Sequence, residues 1–319
     1  EDDVVALANR VKQLEMTVAG KTNSAFVFIK PHAVNDKVAE LLRAHMAANG
    51  IRVTGEGVLS AETIDELQLI DNHYGAIAAK AVKLKPCELN VPPKGQAAFQ
   101  AAFGLSWDEA NKKGMVYNAA DACKKLGITA DDLDKKWGTL KRGTNLLKFG
   151  GGFYCGQVDG IFVMNGFYMS MRSAYTRPPA KLHYFTVQWP SDSLSWEAFR
   201  GRVLGATDPK TAAPGSLRRT ILDQWKTLGL ASSPNVGDNG VHASASPFEA
   251  LAERMNWLSA KIEEDEFGRG MLAAGVSADT IKSWTTDPQV TFDGKKGSLF
   301  DYLEDLDAPE VLKKVQRIN

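Results

Sequence analysis

The chain has 319 residues and a mass of 34.7 kDa, enough for one large domain or two ordinary ones. Its 38 basic and 38 acidic side chains cancel to a formal net charge of zero, which argues against a nonspecific nucleic-acid binder and against an acidic disordered tail. Hydrophobic residues make up 44% and charged residues 24%, the balance of a folded chain with a sizeable core. The strongest apolar run, Ala25 to Ile29, is far short of the roughly 20 residues of a membrane span. Three cysteines, Cys87, Cys123 and Cys155, form no C-x-x-C pair and read as reduced, packed thiols rather than a disulfide framework or a zinc site. Residue 1 is Glu, so a cytoplasmic home and an organellar one after removal of a targeting peptide are both expected readings.

In chain order, Asp2 to Met16 carries Val4, Leu7, Val11 and Leu14 at three- and four-residue spacing and predicts a short amphipathic helix, an arm (1–23) that docks on the body or on a partner. Gly20-Lys21-Thr22 ends like a phosphate loop, but Glu15 stands where that motif needs Gly and the preceding segment is helical, which rejects it. Ala25 to Ile29 predicts a buried strand ended by Lys30-Pro31. A helix over Asp36 to Asn49, a strand over Ile51 to Leu59 and a helical stretch over Ala61 to Tyr74 come next.

Residues 83–180 differ. They open with Lys-, Pro- and Gly-rich punctuation and continue as short helices such as Thr129 to Trp137, with Thr129-x-x-Asp132 as a capping box. They end in strands around Phe149-Gly150-Gly151-Gly152-Phe153, read as a tight hairpin, and Ile161 to Met164. Leu182 to Trp189 alternates as a strand, Trp196 to Val203 is helical, and Ser246-Pro247-Phe248-Glu249 is a strong helix start. The tail, 259–319, adds short helices and a Gly-rich turn at Asp293 to Gly297.

Chemistry concentrates around one of the five histidines. His242 lies in a Gly- and Ser-rich stretch just before a capped helix, and Glu253 stands eleven positions later on a face that can turn back toward it. A neutral imidazole held by a carboxylate is a competent nucleophile or base. Upstream, Arg202, Thr207 and Arg218 supply two guanidinium groups and a hydroxyl, groups suited to phosphate oxygens. His32, His45, His73 and His183 read as structural, although His32 comes directly after Lys30-Pro31 and could reach an anion bound there.

The ordered set Lys30-Pro31, His73-Tyr74, Gly201-Arg202-Val203, Thr207-x-Pro209, Pro214-Gly215-Ser216-Leu217-Arg218 and Val236-Gly237-x-Asn239-x-x-His242-x-Ser244-x-Ser246 resembles the nucleoside diphosphate kinases over residues 24–82 and 181–258. The resemblance implies an α/β (α+β) ferredoxin-like core, a four-stranded antiparallel sheet flanked by helices. A mixed α/β insertion (83–180) and a helical C-terminal extension are added to it. It implies transfer of the γ-phosphate of a nucleoside triphosphate to a nucleoside diphosphate through a phosphohistidine on His242, by a ping-pong mechanism, with Mg²⁺ on the nucleotide phosphates and Glu253 orienting the ring. By the same resemblance Lys30, Tyr74, Arg202, Thr207 and Arg218 contact phosphates, Asn239 bonds the ribose and Val236 packs on the base. The site's cations are then expected to cluster around His242.

The pattern is not complete. His32-Ala33 comes after Lys30-Pro31 where the family has Asp-Gly, Ala243 and Ala245 replace a Gly and an Asp, and the Arg202 to Thr207 spacing is about one residue short. Extra residues between Arg218 and Asn239 carry Ile221, Leu222, Trp225 and Leu228 at helical spacing. A second reading is therefore a kinase-like fold reused as a nucleotide-binding or scaffolding subunit. Protein partners would meet the insertion and the terminal extensions, and a homo-oligomer is open.

Overall fold

The computed structural model describes residues 2–150 and 152–318. They divide into two compact units, Glu1–Ala61 with Pro179–Asn319, and Glu62–Pro178. The strands in chain order are β1 (Thr22–Ile29), β2 (Arg52–Ser60), β3 (Val116–Asn118), β4 (Leu146–Gly150), β5 (Phe153–Val158), β6 (Ile161–Met164), β7 (Lys181–Pro190), β8 (Val241–Ala243), β9 (Gln289–Phe292) and β10 (Lys295–Ser298).

In the first unit β2, β7, β1 and β8 lie side by side in that order, every neighbour antiparallel. Helix Asp36–Ala48 connects β1 to β2, and helices Trp196–Ala198, Phe199–Leu204 and Leu217–Gln224 lie between β7 and β8. Two interleaved β-α-β crossings of this kind make the ferredoxin-like core.

The sheet's two faces explain its sequence. Ala25, Val27 and Ile29 of β1 bury one face against Val38, Leu42 and Met46 of helix Asp36–Ala48 and against Leu217 and Ile221. Phe26 and Phe28 point the other way, toward Trp257 of helix Pro247–Leu258, at ring-centroid distances of 6.3 and 5.6 Å. A central strand covered on both faces is apolar at every position, which is why the Ala25–Ile29 run does not alternate.

The Ser246 cap expected from sequence is present, its Oγ accepting the Glu249 N–H at 3.0 Å, and Asn35 Oδ1 caps helix Asp36–Ala48 by accepting the Val38 N–H at 3.0 Å. The extra residues after Arg218 begin within helix Leu217–Gln224, and they send Ile221, Trp225 and Leu228 into the core.

The C-terminal extension packs on the same unit. Helices Glu266–Ala273, Ala278–Trp284, Leu299–Leu303 and Ala308–Val315 bury Met271, Ile281, Leu299 and Leu312 with Phe248 and Leu251. The extension is not wholly helical, because β9 and β10 form an antiparallel hairpin. Its turn residues Asp293 and Gly294 both have positive φ, 48° and 75°, as a tight two-residue hairpin turn requires.

Asp307 fixes the extension to the sheet: its Oδ1 accepts the Trp196 N–H and the Asn23 side-chain amide, both at 2.7 Å. Asn23 in turn accepts the Ala308 N–H at 2.9 Å and is fully buried. The N-terminal helix Asp2–Gly20 is longer than the sequence reading, and its last turn buries Ala19 in the same cluster.

The second unit starts at Glu62, ahead of the boundary read at Lys83, because residues 62–82 pack into its core: Ala78 and Ala81 share a cluster with Ala119, Leu133 and Tyr168. The helix expected over Ala61 to Tyr74 is broken into Ala61–Glu66 and Leu69–His73, with Gly75–Ala78 beyond. The breaks fall at Gln68 and Gly75, whose φ values are 51° and 28°. Strands β3, β6, β5 and β4 form this unit's sheet, with β3 parallel to β6 and the other neighbours antiparallel.

The hairpin expected at the glycine run is there, with Gly150 paired to Phe153; Gly151 lies outside the described residues. The fully buried Asp71 is held by Arg172 Nε at 2.9 Å and by the Tyr168 hydroxyl at 2.8 Å.

The seam at Asp307 is open to test. Asp307→Ala leaves the Asn23 amide and the Trp196 N–H without their acceptor, and urea denaturation is expected to show a loss of about 1–3 kcal/mol. Glu310→Ala, which removes only an exposed contact to the Asp307 N–H, is expected to cost less than about 1 kcal/mol.

Candidate active site

His242 is the middle residue of β8 and pairs with Phe28 across the β1–β8 ladder. Its neighbours Val241 and Ala243 face the sheet core, so the period-two alternation of a strand turns the imidazole to the opposite face. There it stacks on the Phe28 ring at 4.6 Å between centroids. Helix Pro247–Leu258 covers this face and carries Glu253, whose Oε1 lies 2.6 Å from His242 Nε2.

The carboxylate is almost fully buried, and its other oxygen lies 2.5 Å from the Ser244 hydroxyl. Ser244 is itself fixed by accepting the Phe26 N–H at 3.0 Å. A carboxylate offers only acceptors, so Nε2 carries the proton and the imidazole lone pair sits on Nδ1.

The His242 ring lines a cavity of about 530 Å³ in the first unit, together with Lys30, Thr207, Arg218, Val236 and Asn239. Arg218 is buried and pinned by backbone carbonyls, Gly205 O at 2.9 Å and Val241 O at 3.0 Å. Burial, and next the nearby Arg200 charge, lower its pKa to about 10. Lys30 donates to Gly237 O at 3.0 Å. Burial, and secondarily Arg218, lower its pKa to about 8.

Asn239 gives its side-chain N–H to Thr207 O at 3.0 Å. That bond fixes which end of the amide is oxygen, and among the described residues the buried Oδ1 has no partner. Such an orphaned acceptor suits a hydroxyl or N–H donor from a ligand.

His32 is wired into the same loop, accepting the Gly240 N–H on Nε2 at 3.1 Å, with Nδ1 3.4 Å from Asp238. Its ring braces the loop that holds Asn239. Ala243 is a β-strand residue, and extended backbone accommodates Ala as readily as Gly. The substitution therefore places no strain beside His242.

Two site residues read from sequence remain, Arg202 and Tyr74. Arg202 is exposed and does not line the cavity, whereas Arg200, two positions earlier, does. The segment Phe199–Leu204 winds as a π-helix, with the Gly205 N–H bonded to Arg200 O at 3.0 Å. Tyr74 belongs to the second unit, packed edge-on to His73 and Tyr168 at 5.0 and 6.3 Å.

The cavity also holds four acids that sequence reasoning missed: Glu197, Glu249, Glu304 and Asp305. Arg200 Nη1 donates to Glu304 and to Asp305, both at 2.7 Å. The Asp305 N–H bonds Ala245 O at 3.0 Å. The expected cluster of cations is thus accompanied by carboxylates, two of them brought in by the C-terminal extension. Burial, and next the Glu253 charge, raise the Glu249 pKa to about 8, so this carboxyl is largely protonated at neutral pH.

No protein-family model matches the chain, and no curated protein sequence matches it. Solved structures do. An NDP kinase from Pyrobaculum aerophilum aligns with 76% of this chain and 98% of its own, at 16% identity and a TM-score of 0.36. A nucleoside diphosphate kinase from Encephalitozoon cuniculi aligns with 75% of this chain and 90% of its own, at 12% identity and a TM-score of 0.34. At these values the reading of the site rests on its own geometry. Among the described residues no helix is long and apolar enough to cross a membrane.

The two groups with pKa near 8 give the cavity a pH response. As pH rises through this range Lys30 loses its positive charge and Glu249 gains a negative one, so both changes oppose an anion. Calorimetric titration with tripolyphosphate is expected to show affinity falling between about pH 7 and 9, by roughly tenfold or more. Lys30→Met and Glu249→Gln should each flatten part of that fall.

Proposed function

We propose that this chain is a nucleoside diphosphate kinase-like phosphotransferase that moves a phosphoryl group from a nucleoside triphosphate to a nucleoside diphosphate through His242. The carrying observation is the Nε2 contact to the buried Glu253 at 2.6 Å, which orients a cavity-lining imidazole and leaves its lone pair on Nδ1. In the first half-reaction Nδ1 attacks the γ-phosphorus, the bond to the β,γ-bridging oxygen breaks, and the diphosphate leaves with that electron pair. In the second, a diphosphate oxygen attacks the phosphohistidine and the N–P bond breaks, restoring the imidazole.

Positioning and positive charge govern such a loose transition state. Lys30 and Arg218 supply the charge here, with the Thr207 hydroxyl as a neutral contact and Tyr74 as a further phosphate contact on the family pattern. Asn239 Oδ1 accepts a ribose hydroxyl, and the exposed Val236 gives the base an apolar surface without base-specific bonds. Glu253 holds the rising charge of the ring as the phosphoryl group transfers. The lining carboxylates are oxygen donors of the kind Mg²⁺ accepts. Mg²⁺ carried on the phosphates would be held near them and would neutralise nucleotide charge.

Incubation with γ-labelled ATP and Mg²⁺ is expected to give an acid-labile, base-stable phosphoprotein that His242→Ala removes. Glu253→Gln is expected to slow labelling about 10- to 100-fold with little change in nucleotide affinity, since it acts through the ring. Correctly folded protein that binds nucleotide but takes no label would instead be the binding or scaffolding subunit.

A further inference from the structure

The N-terminal helix Asp2–Gly20 has two apolar sides. Met16 and Ala19 face the body, where they pack with Phe267, Met271 and Leu312. At 3.6 residues per turn Leu7, Val11, Leu14 and Val18 fall on the opposite side. They are 64%, 50%, 57% and 48% exposed, half of the exposed large hydrophobic residues found among the described ones. A helix apolar on both sides fits between two bodies rather than at a free surface.

The stripe identifies what covers it. Its spacings of four, three and four residues, extended in the sequence by Val4, are those of a heptad seam. Val11 and Val18 take the a positions, and Leu7 and Leu14 the d positions. Valine at a with leucine at d favours two parallel strands. The flanking charges agree. Arg10 falls at g and Glu15 at the next e, so a parallel pair sets Arg10 of each copy beside Glu15 of the other. An antiparallel pair would instead bring like charges together at g and at e. Glu15 already has one cation, Arg269 at 3.4 Å, an exposed contact that leaves room for a second.

We propose that this helix is a dimerisation arm, forming a short parallel coiled coil with the same helix of a second copy of this chain. The stripe lies on the side of the helix turned away from Met16 and Ala19, so pairing requires no rearrangement of the core.

Sedimentation equilibrium of the full chain tests this. A dimer is expected at about 50 µM, and Leu7→Lys with Leu14→Lys should give a monomer whose melting temperature is unchanged at low concentration. In a Cys87→Ser background, Leu7→Cys should cross-link to itself under mild oxidation, because d positions face each other in a parallel pair. A chain that stays monomeric at this concentration would overturn the proposal. So would a dimer indifferent to both lysines, or one in which Leu7→Cys fails to cross-link.

Discussion

Everything at the candidate site depends on the short antiparallel pairing of β8 with β1. Three residues of β8 take part, Val241, His242 and Ala243, opposite Ile29, Phe28 and Val27. A slip of one residue would bury the imidazole in the sheet core and turn an aliphatic side chain toward helix Pro247–Leu258. The register is held by apolar residues on both sides of His242 and by Ser244, which bonds Phe26 of β1 and Glu253 of the covering helix. One serine thus ties the strand, its neighbour and the carboxylate that orients the ring.

The electrostatics of the cavity are more balanced than a phosphate site built only of cations. Lys30, Arg200 and Arg218 face Glu197, Glu249, Glu304 and Asp305, and both cations with lowered pKa values owe them first to burial. Burial likewise keeps Glu249 largely protonated near neutrality. The result is a lining close to neutral at pH 7, in which Arg200 is shared between two carboxylates of the C-terminal extension. A polyphosphate entering such a cavity competes with those carboxylates for the guanidinium, and this makes the extension part of the site rather than an appendage.

How legible this was in the sequence depended on the range of the interactions involved. Ser246-Pro247 announced the helix that carries Glu253, because a cap is a local arrangement of a few residues, and the apolar Ala25–Ile29 run announced a strand covered on both faces. The ordered motifs around Asn239 and His242 located the imidazole and its carboxylate partner. Arg200, Glu304 and Asp305 were not legible, since their meeting spans over a hundred positions and leaves no periodic trace. Their only local hint was the Arg200-Gly201-Arg202 doublet, where the π-helical winding of Phe199–Leu204 decides which guanidinium faces the cavity. The surroundings of Tyr74 were not legible for a related reason: Gln68 and Gly75 break the helix it was read on, and its segment packs into the second unit.

The proposed phosphoryl transfer turns on one ring nitrogen of one residue. Phosphorus NMR, with digestion and mass spectrometry of the protein after brief mixing with Mg²⁺ and ATP, would assign the phosphorylated atom. Phosphate on Nδ1 of His242 is the result expected from the Nε2 to Glu253 contact; phosphate on Nε2, or on another residue while His242 stays unmodified, would contradict it.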